Sequence, residues 1–199
     1  MNLPNKITMV RIFMIPFVLL FMLPVSFIGK DSAWNVFIED YGMLIATILF
    51  FIASLTDTID GQLARKQGIV TNMGKFLDPI ADKLLVTSVL IALVQINKIS
   101  AIVAIIIICR EFIVTGIRLL AADKNVVISA SNLGKVKTVF QIIAIIIVML
   151  EIQLSISFAN SPFSPALFTV SQVMVWVAVL LTIISGIDYM RKNMSFLNE

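Results

Sequence analysis

Four aspartates stand at helical spacing within one stretch of the chain. Asp57-Thr-Ile-Asp60-Gly61-Gln-Leu-Ala64-Arg65 is followed, after eight residues, by Gly74-Lys-Phe-Leu-Asp78-Pro79-Ile-Ala-Asp82. On a helix Asp57 and Asp60 are i, i+3 neighbours and Asp78 and Asp82 are i, i+4 neighbours, so each pair shares a face. A short turn between two such helices would fold the pairs towards each other. Four carboxylates in a partly apolar place repel one another or take up protons unless a cation joins them. Oxygen ligands alone favour a hard ion such as Mg²⁺ or Mn²⁺, and four carboxylates can bridge two ions about 4 Å apart, an arrangement suited to phosphoryl displacement. Gly61 is i+4 from Asp57, Ala64 is i+4 from Asp60 and Gly74 is i−4 from Asp78, which leaves room for a ligand beside the carboxylates. The chain contains no histidine and a single cysteine, Cys109. Histidine bases, Ser-His or Cys-His nucleophilic pairs and Cys/His metal clusters are therefore excluded, and proton transfer falls to Asp, Glu, Lys, Tyr or water.

Each of these positions also has a purely structural reading. Asp78 before Pro79 could be a helix N-cap with proline at the first helical position, and whether that helix begins near Asn72 or at Asp78 is open from the sequence. Gly61 and Ala64 could be small residues of a close helix contact. Ionisable groups within membrane segments are nevertheless functional by default, and four together weigh against a structural role alone.

A second set of residues is basic. The apolar run Ala101–Cys109 meets Arg110-Glu111, and Glu111, Thr115 and Arg118 fall at i, i+4 and i+7 on one stripe. Gly134-Lys135-Val-Lys137-Thr138 opens the next apolar stretch. Two arginines and one or two lysines would surround an anionic group, Arg by bidentate contact with a phosphate and Lys as a point charge. Lys135 and Lys137 are i, i+2 and cannot share one helix face, so one of them could meet lipid headgroups instead. Alternatively, Arg110 and Arg118 balance the aspartates or Glu111, or snorkel to lipid phosphates.

The elements that must position these residues follow from composition. In 199 residues, 59% are hydrophobic and 14% charged, with mean hydropathy +1.03, too apolar for a water-solvated surface. A soluble globular protein is excluded. Six apolar stretches are predicted as membrane-spanning helices: Met9–Ile28, Tyr41–Leu63, Asn72–Ile96, Ile99–Leu120, Val136–Ile152 and Ala166–Tyr189. They form an all-α integral membrane protein of one domain, residues 1–199. The first stretch lacks a small-residue cleavage site and is predicted to be retained, with Pro16 and Pro24 kinking it or ending it early. With the N-terminus inside, thirteen Lys and Arg fall on or towards the cytoplasmic side and only Lys30 and Lys98 outside. Both termini and the aspartate pairs are then cytoplasmic. The basic residues are dispersed, with no basic helix carrying interleaved aromatics, which argues against nucleic acid as a partner.

The pattern Asp57-x2-Asp60-Gly61-x2-Ala64-Arg65-x8-Gly74-x3-Asp78-x3-Asp82 resembles, at every fixed position, the signature of the CDP-alcohol phosphotransferase family. The resemblance implies a six-helix membrane enzyme, usually a homodimer, that displaces CMP from a CDP-linked lipid or alcohol. It implies that Asp57, Asp60, Asp78 and Asp82 hold divalent metal, that Asp82 is also the general base, and that Asp60, Gly61, Ala64, Arg65 and Gly74 bind the CDP moiety. Arg110 to Arg118, Gly134 to Thr138 and the opening Asn2 to Arg11 look like segments of the bacterial members that use CDP-diacylglycerol as donor and sn-glycerol 3-phosphate as acceptor. In that case Arg110, Arg118, Lys135 and Lys137 hold the acceptor's phosphate. The donor's acyl chains can stay among membrane lipids while its nucleotide reaches the metals at the cell-membrane boundary. Asn5, Thr8 and Arg11 recur every three residues and are expected as a polar stripe near the nucleotide or as an N-terminal interfacial anchor. The rival readings are the same fold with serine, an inositol phosphate or phosphatidylglycerol as acceptor, and a cation or proton transporter built on intramembrane carboxylates.

Overall fold

The computed structural model describes residues 3–25, 29, 32–67, 72–123, 131–157 and 164–193. Side chains are described within these except at 3–7, 57–67, 72–79, 82, 122 and 123. The described residues form helices and the turns between them, with no strand among them. In chain order these are α1 (Leu3–Met22), a short α2 (Ala33–Phe37), a π-helical turn (Ile38–Gly42) that runs directly into α3 (Met43–Gln67), α4 (Asn72–Gln95), α5 (Ala101–Asp123), α6 (Asn132–Ser157) and α7 (Ser164–Lys192).

Each of the six long helices overlaps one of the six predicted apolar stretches. Among the described residues, three helical segments are long and apolar enough to cross a membrane: Ala33–Thr56, Asn132–Ser157 and Ser164–Lys192. Thr8–Met22 and Lys83–Gln95 are shorter apolar runs, and α5 breaks its apolar face with Arg110, Glu111 and Arg118. α1 is as long as its predicted stretch but lies six residues earlier in the chain. It accommodates Pro16 in its interior but ends at Met22, two residues before Pro24, whose ring disfavours helical backbone in the residue before it.

α1 packs along α3 and α4, α6 along α7, and the two groups meet where α3 touches α6 and α4 touches α5. Phe50, Val89, Leu93, Val148, Met149 and Val179 are among the fully buried apolar side chains at their centre. α1 and the π turn approach closely at Gly42, where a Cβ would collide with the carbonyl oxygen of Phe21. Gln153 of α6 stitches the π turn: its Oε1 accepts from the Leu44 amide at 2.9 Å and its Nε2 donates to the Asp40 carbonyl at 2.7 Å. These are two of the groups that a change from π to α hydrogen bonding leaves over. α4 closes with Asn97 in the left-handed region (φ 59°), and the amides of Asn97 and Lys98 return to the carbonyls of Val94 and Leu93. This is a Schellman turn in which asparagine stands where glycine is usual.

Two expectations are corrected or resolved here. Thr8 and Arg11 are both 2% exposed, so on the helix that packs against α3 and α4 they face protein rather than forming an interfacial anchor. The side chain of Asn5 lies outside the described residues. α4 begins at Asn72, six residues before Asp78, with Pro79 inside the helix, so Asp78 is not its N-cap.

Candidate active site

The aspartates lie on the two helices that the sequence assigns them to. Asp57, Asp60, Gly61, Ala64 and Arg65 are on the last part of α3, and Gly74, Asp78 and Asp82 on the first part of α4. Their side chains are outside the described residues, so only their backbone places are known. α3 and α4 touch and are joined by residues 68–71. Asp57 is ten residues before the end of α3 and Asp82 ten residues after the start of α4, each about 15 Å along its helix at the usual rise. Asp60 and Asp78 are seven and six residues from those same ends, about 10 Å. Counted along the helices from the ends that residues 68–71 join, the outer aspartates are therefore equally distant, and the inner ones nearly so.

Directly beyond Asp82 is Lys83, and from it a polar site can be followed side chain by side chain. Glu111 of α5 binds three cations from three helices. Its Oε2 accepts from Lys83 Nζ of α4 at 3.2 Å, and its Oε1 accepts from Arg110 Nη1 at 2.9 Å and from Lys137 Nζ of α6. Lys137 is 1% exposed. A lysine so deeply buried needs its charge matched, and Glu111 supplies the match.

Arg110 is pinned from the other side as well. Its Nη2 donates to Ser185 Oγ of α7 at 2.5 Å. The backbone closes on it at two glycines: a Cβ at Gly186 would stand 3.2 Å from Arg110 Cγ, and one at Gly134 would stand 3.6 Å from Arg110 Nη2. Arg110 Nε is buried without a partner among the described residues. Two turns further along α5, Arg118 is held more loosely. Its Nε donates to the Tyr189 hydroxyl at 3.3 Å and its guanidinium carbon lies 5.6 Å from the centre of that ring, and its two terminal nitrogens have no hydrogen bond among the described residues.

These residues enclose a cavity of about 150 Å³, lined by Lys83, Arg110, Glu111 and Arg118 on one side and by Ser131, Gly134, Lys135 and Thr138 on the other, with Tyr189 closing it. The second group is the start of α6. The Ser131 hydroxyl caps that helix by accepting from the Gly134 amide at 3.1 Å. A helix N-terminus carries partial positive charge and unsatisfied amides, so the cavity combines two arginines, two lysines and a helix end around one carboxylate. Such a set of groups can hold an anion, and a phosphate is the anion that a guanidinium fork and a lysine bind best.

Of the four basic residues expected at an acceptor phosphate, Arg110, Arg118 and Lys135 line this cavity. Lys137 lies behind it, on Glu111. The i, i+2 relation of Lys135 and Lys137 is resolved by burial: Lys135 is exposed towards the cavity and Lys137 points into the bundle. Lys83, Ser131, Ser185 and Tyr189 were not singled out from the sequence. Ser185 and Tyr189 are i, i+4 on α7 and could have been noticed as polar groups on one stripe of an otherwise apolar span. Lys83 gave no such signal.

A family model described as CDP-alcohol phosphatidyltransferase matches residues 1–184. A protein of Bacillus subtilis named CDP-diacylglycerol–glycerol-3-phosphate 3-phosphatidyltransferase is 46% identical over 192 residues, 96% of this chain and 95% of that one. A protein of the same name from Rickettsia felis is 36% identical over 96% of this chain and 94% of its own length. A Mycobacterium tuberculosis protein named probable phosphatidylglycerophosphate synthase is 37% identical over 96% of this chain and 81% of its own.

Proposed function

This chain belongs to the CDP-alcohol phosphatidyltransferase family, and from that premise we propose that it transfers the phosphatidyl group of CDP-diacylglycerol to sn-glycerol 3-phosphate, releasing CMP and forming phosphatidylglycerophosphate. The observation that carries the choice of acceptor is the 150 Å³ cavity where Arg110, Arg118 and Lys135 meet the N-terminus of α6. Serine would leave that positive charge without a partner. The names of the full-length relatives point to the same acceptor.

In this reading the phosphate of glycerol 3-phosphate sits in the cavity and its free primary hydroxyl extends towards Asp82, which is next in sequence to the cavity residue Lys83. Asp82 accepts the proton of that hydroxyl as its oxygen bonds to the phosphorus bearing the diacylglycerol, and the bond from that phosphorus to CMP breaks. Asp60, Gly61, Ala64, Arg65 and Gly74 hold the CDP moiety, with the small residues admitting it between α3 and α4. The donor set fits a divalent cation, since four carboxylates occur on two touching helices at matched distances from the ends that face each other in sequence. Asp57, Asp60, Asp78 and Asp82 would hold two Mg²⁺ or Mn²⁺ ions, whose charge offsets that of the pyrophosphate and of the departing CMP. The enzyme acts as a homodimer in the cell membrane, with six spans, both termini in the cytoplasm and the site opening there.

The test is CMP release by the purified protein from CDP-diacylglycerol with Mg²⁺, comparing glycerol 3-phosphate with serine, inositol phosphate and phosphatidylglycerol. Release that depends on glycerol 3-phosphate supports the reading. Release with another acceptor alone overturns the acceptor, and none with any acceptor overturns the reaction.

A further inference from the structure

The five cations around the cavity are not equivalent. Glu111 engages Lys83, Arg110 and Lys137, whereas Arg118 and Lys135 have no carboxylate partner among the described residues. Arg118 is exposed and rests on the neutral Tyr189 ring and hydroxyl, and Lys135 is exposed beside the first turn of α6. One group is locked together across α4, α5 and α6, and the other faces open space.

We propose that Glu111 divides the basic residues into an internal frame of Lys83, Arg110 and Lys137 and an anion seat of Arg118 and Lys135, so that the site selects a doubly charged phosphate monoester over a singly charged phosphodiester. The proposal rests on the functional reading above and refines it. Two cations without a carboxylate partner among the described residues match the two charges that a phosphate monoester carries near pH 8, its second ionisation lying near pH 6. A phosphodiester bears one charge and would leave one of the two unpaired in a cavity walled by the apolar side chain of Val114. The seat is flanked by a helix N-terminus, whose partial charge adds to the preference for the more highly charged ligand. Glu111 keeps the remaining cations from joining the seat. It is a positioning residue: by holding Lys83, Arg110 and Lys137 it leaves Arg118 and Lys135 as the charges that meet the phosphate. By the same reasoning Lys137, tied to Glu111 and 1% exposed, stabilises the frame and does not touch the phosphate.

The test uses the full-length protein in lipid nanodiscs at pH 8, with binding of methyl phosphate and dimethyl phosphate measured by calorimetry, independently of turnover. Methyl phosphate is expected to bind at least about tenfold more tightly, as befits one extra charge-assisted contact. Arg118→Met and Lys135→Met, both exposed and so tolerant of change, should each reduce that ratio severalfold, whereas Lys137→Met should leave it intact. Glu111→Gln should weaken methyl phosphate binding, and adding Lys137→Met to it should recover part of the loss by removing the cation left without its partner. The proposal is overturned if Arg118→Met and Lys135→Met keep the ratio, if Lys137→Met abolishes it, or if the double variant binds no better than Glu111→Gln alone. Failure of the functional reading shows separately, as absence of glycerol 3-phosphate-dependent CMP release by the unmodified protein in the same nanodiscs.

Discussion

Arg118 and Tyr189 meet in two ways at once: the guanidinium carbon lies 5.6 Å from the ring centre and Nε donates to the ring hydroxyl at 3.3 Å. Tyr189 is 2% exposed, so the ring is a fixed platform for an otherwise mobile arginine. Tyr189→Phe keeps the platform and removes the hydrogen bond, a loss of about 1 kcal/mol that should raise the KM for glycerol 3-phosphate about fivefold with kcat little changed. Arg118→Ala should raise it further. An unchanged KM in both would mean that the acceptor does not bind there.

Ser185 does for Arg110 what Tyr189 does for Arg118, one helical turn earlier on α7. Ser185→Ala removes a contact to a charged donor, of the class that contributes about 1.5 to 3 kcal/mol, and leaves Arg110 held by Glu111 alone. Acceptor kinetics should weaken by about tenfold in kcat/KM, while the affinity for CDP-diacylglycerol, whose proposed site is on α3 and α4, stays as it was. A parallel loss for both substrates would show that Ser185 matters only to folding.

Asp57→Asn removes one charge from the proposed metal site and should abolish CMP release, whatever the acceptor. Chelation with EDTA should do the same to the unmodified enzyme, with activity restored by Mg²⁺ or Mn²⁺. Full activity in Asp57→Asn, or turnover in EDTA, would sink the metal assignment.

Gly42→Ala probes the fold away from the site. The added methyl would meet the Phe21 carbonyl oxygen and the side chain of Ile38, and backbone cannot yield as a side chain can. Overpacking of this kind costs about 1 to 3 kcal/mol, which should appear as a lower midpoint in thermal unfolding. The KM for glycerol 3-phosphate should be untouched.

The helices were legible because apolar residues run for about twenty positions at a time and the charges that interrupt them are few. The placing of the four aspartates on two consecutive helices was legible because their spacing is local, set within one helix and then the next. The frame around Glu111 was not. Lys83 is 28 residues before Glu111 and Lys137 is 26 after it, and only the packing of α4, α5 and α6 turns three separately read charges into one knot. The same packing decides which of Lys135 and Lys137 faces the cavity, a choice that the i, i+2 spacing could pose but not answer. The burial of Arg11 was hidden for a like reason. A polar stripe on the first helix reads as a surface until α3 and α4 cover it.

Gln153 also has a bearing on the order in which the molecule can be assembled. Its two hydrogen bonds reach back 109 and 113 residues, to the Leu44 amide and the Asp40 carbonyl. When α1 to α3 emerge during synthesis, those two backbone groups have no protein partner and must keep water or wait in a polar environment, since hydrocarbon offers them nothing. Only when α6 arrives is the top of α3 sealed. The helix that carries Asp57 and Asp60 therefore gains these backbone partners at its start only after the helix that carries Lys135 and Lys137 has been made, which links the two parts of the proposed site in time as well as in space.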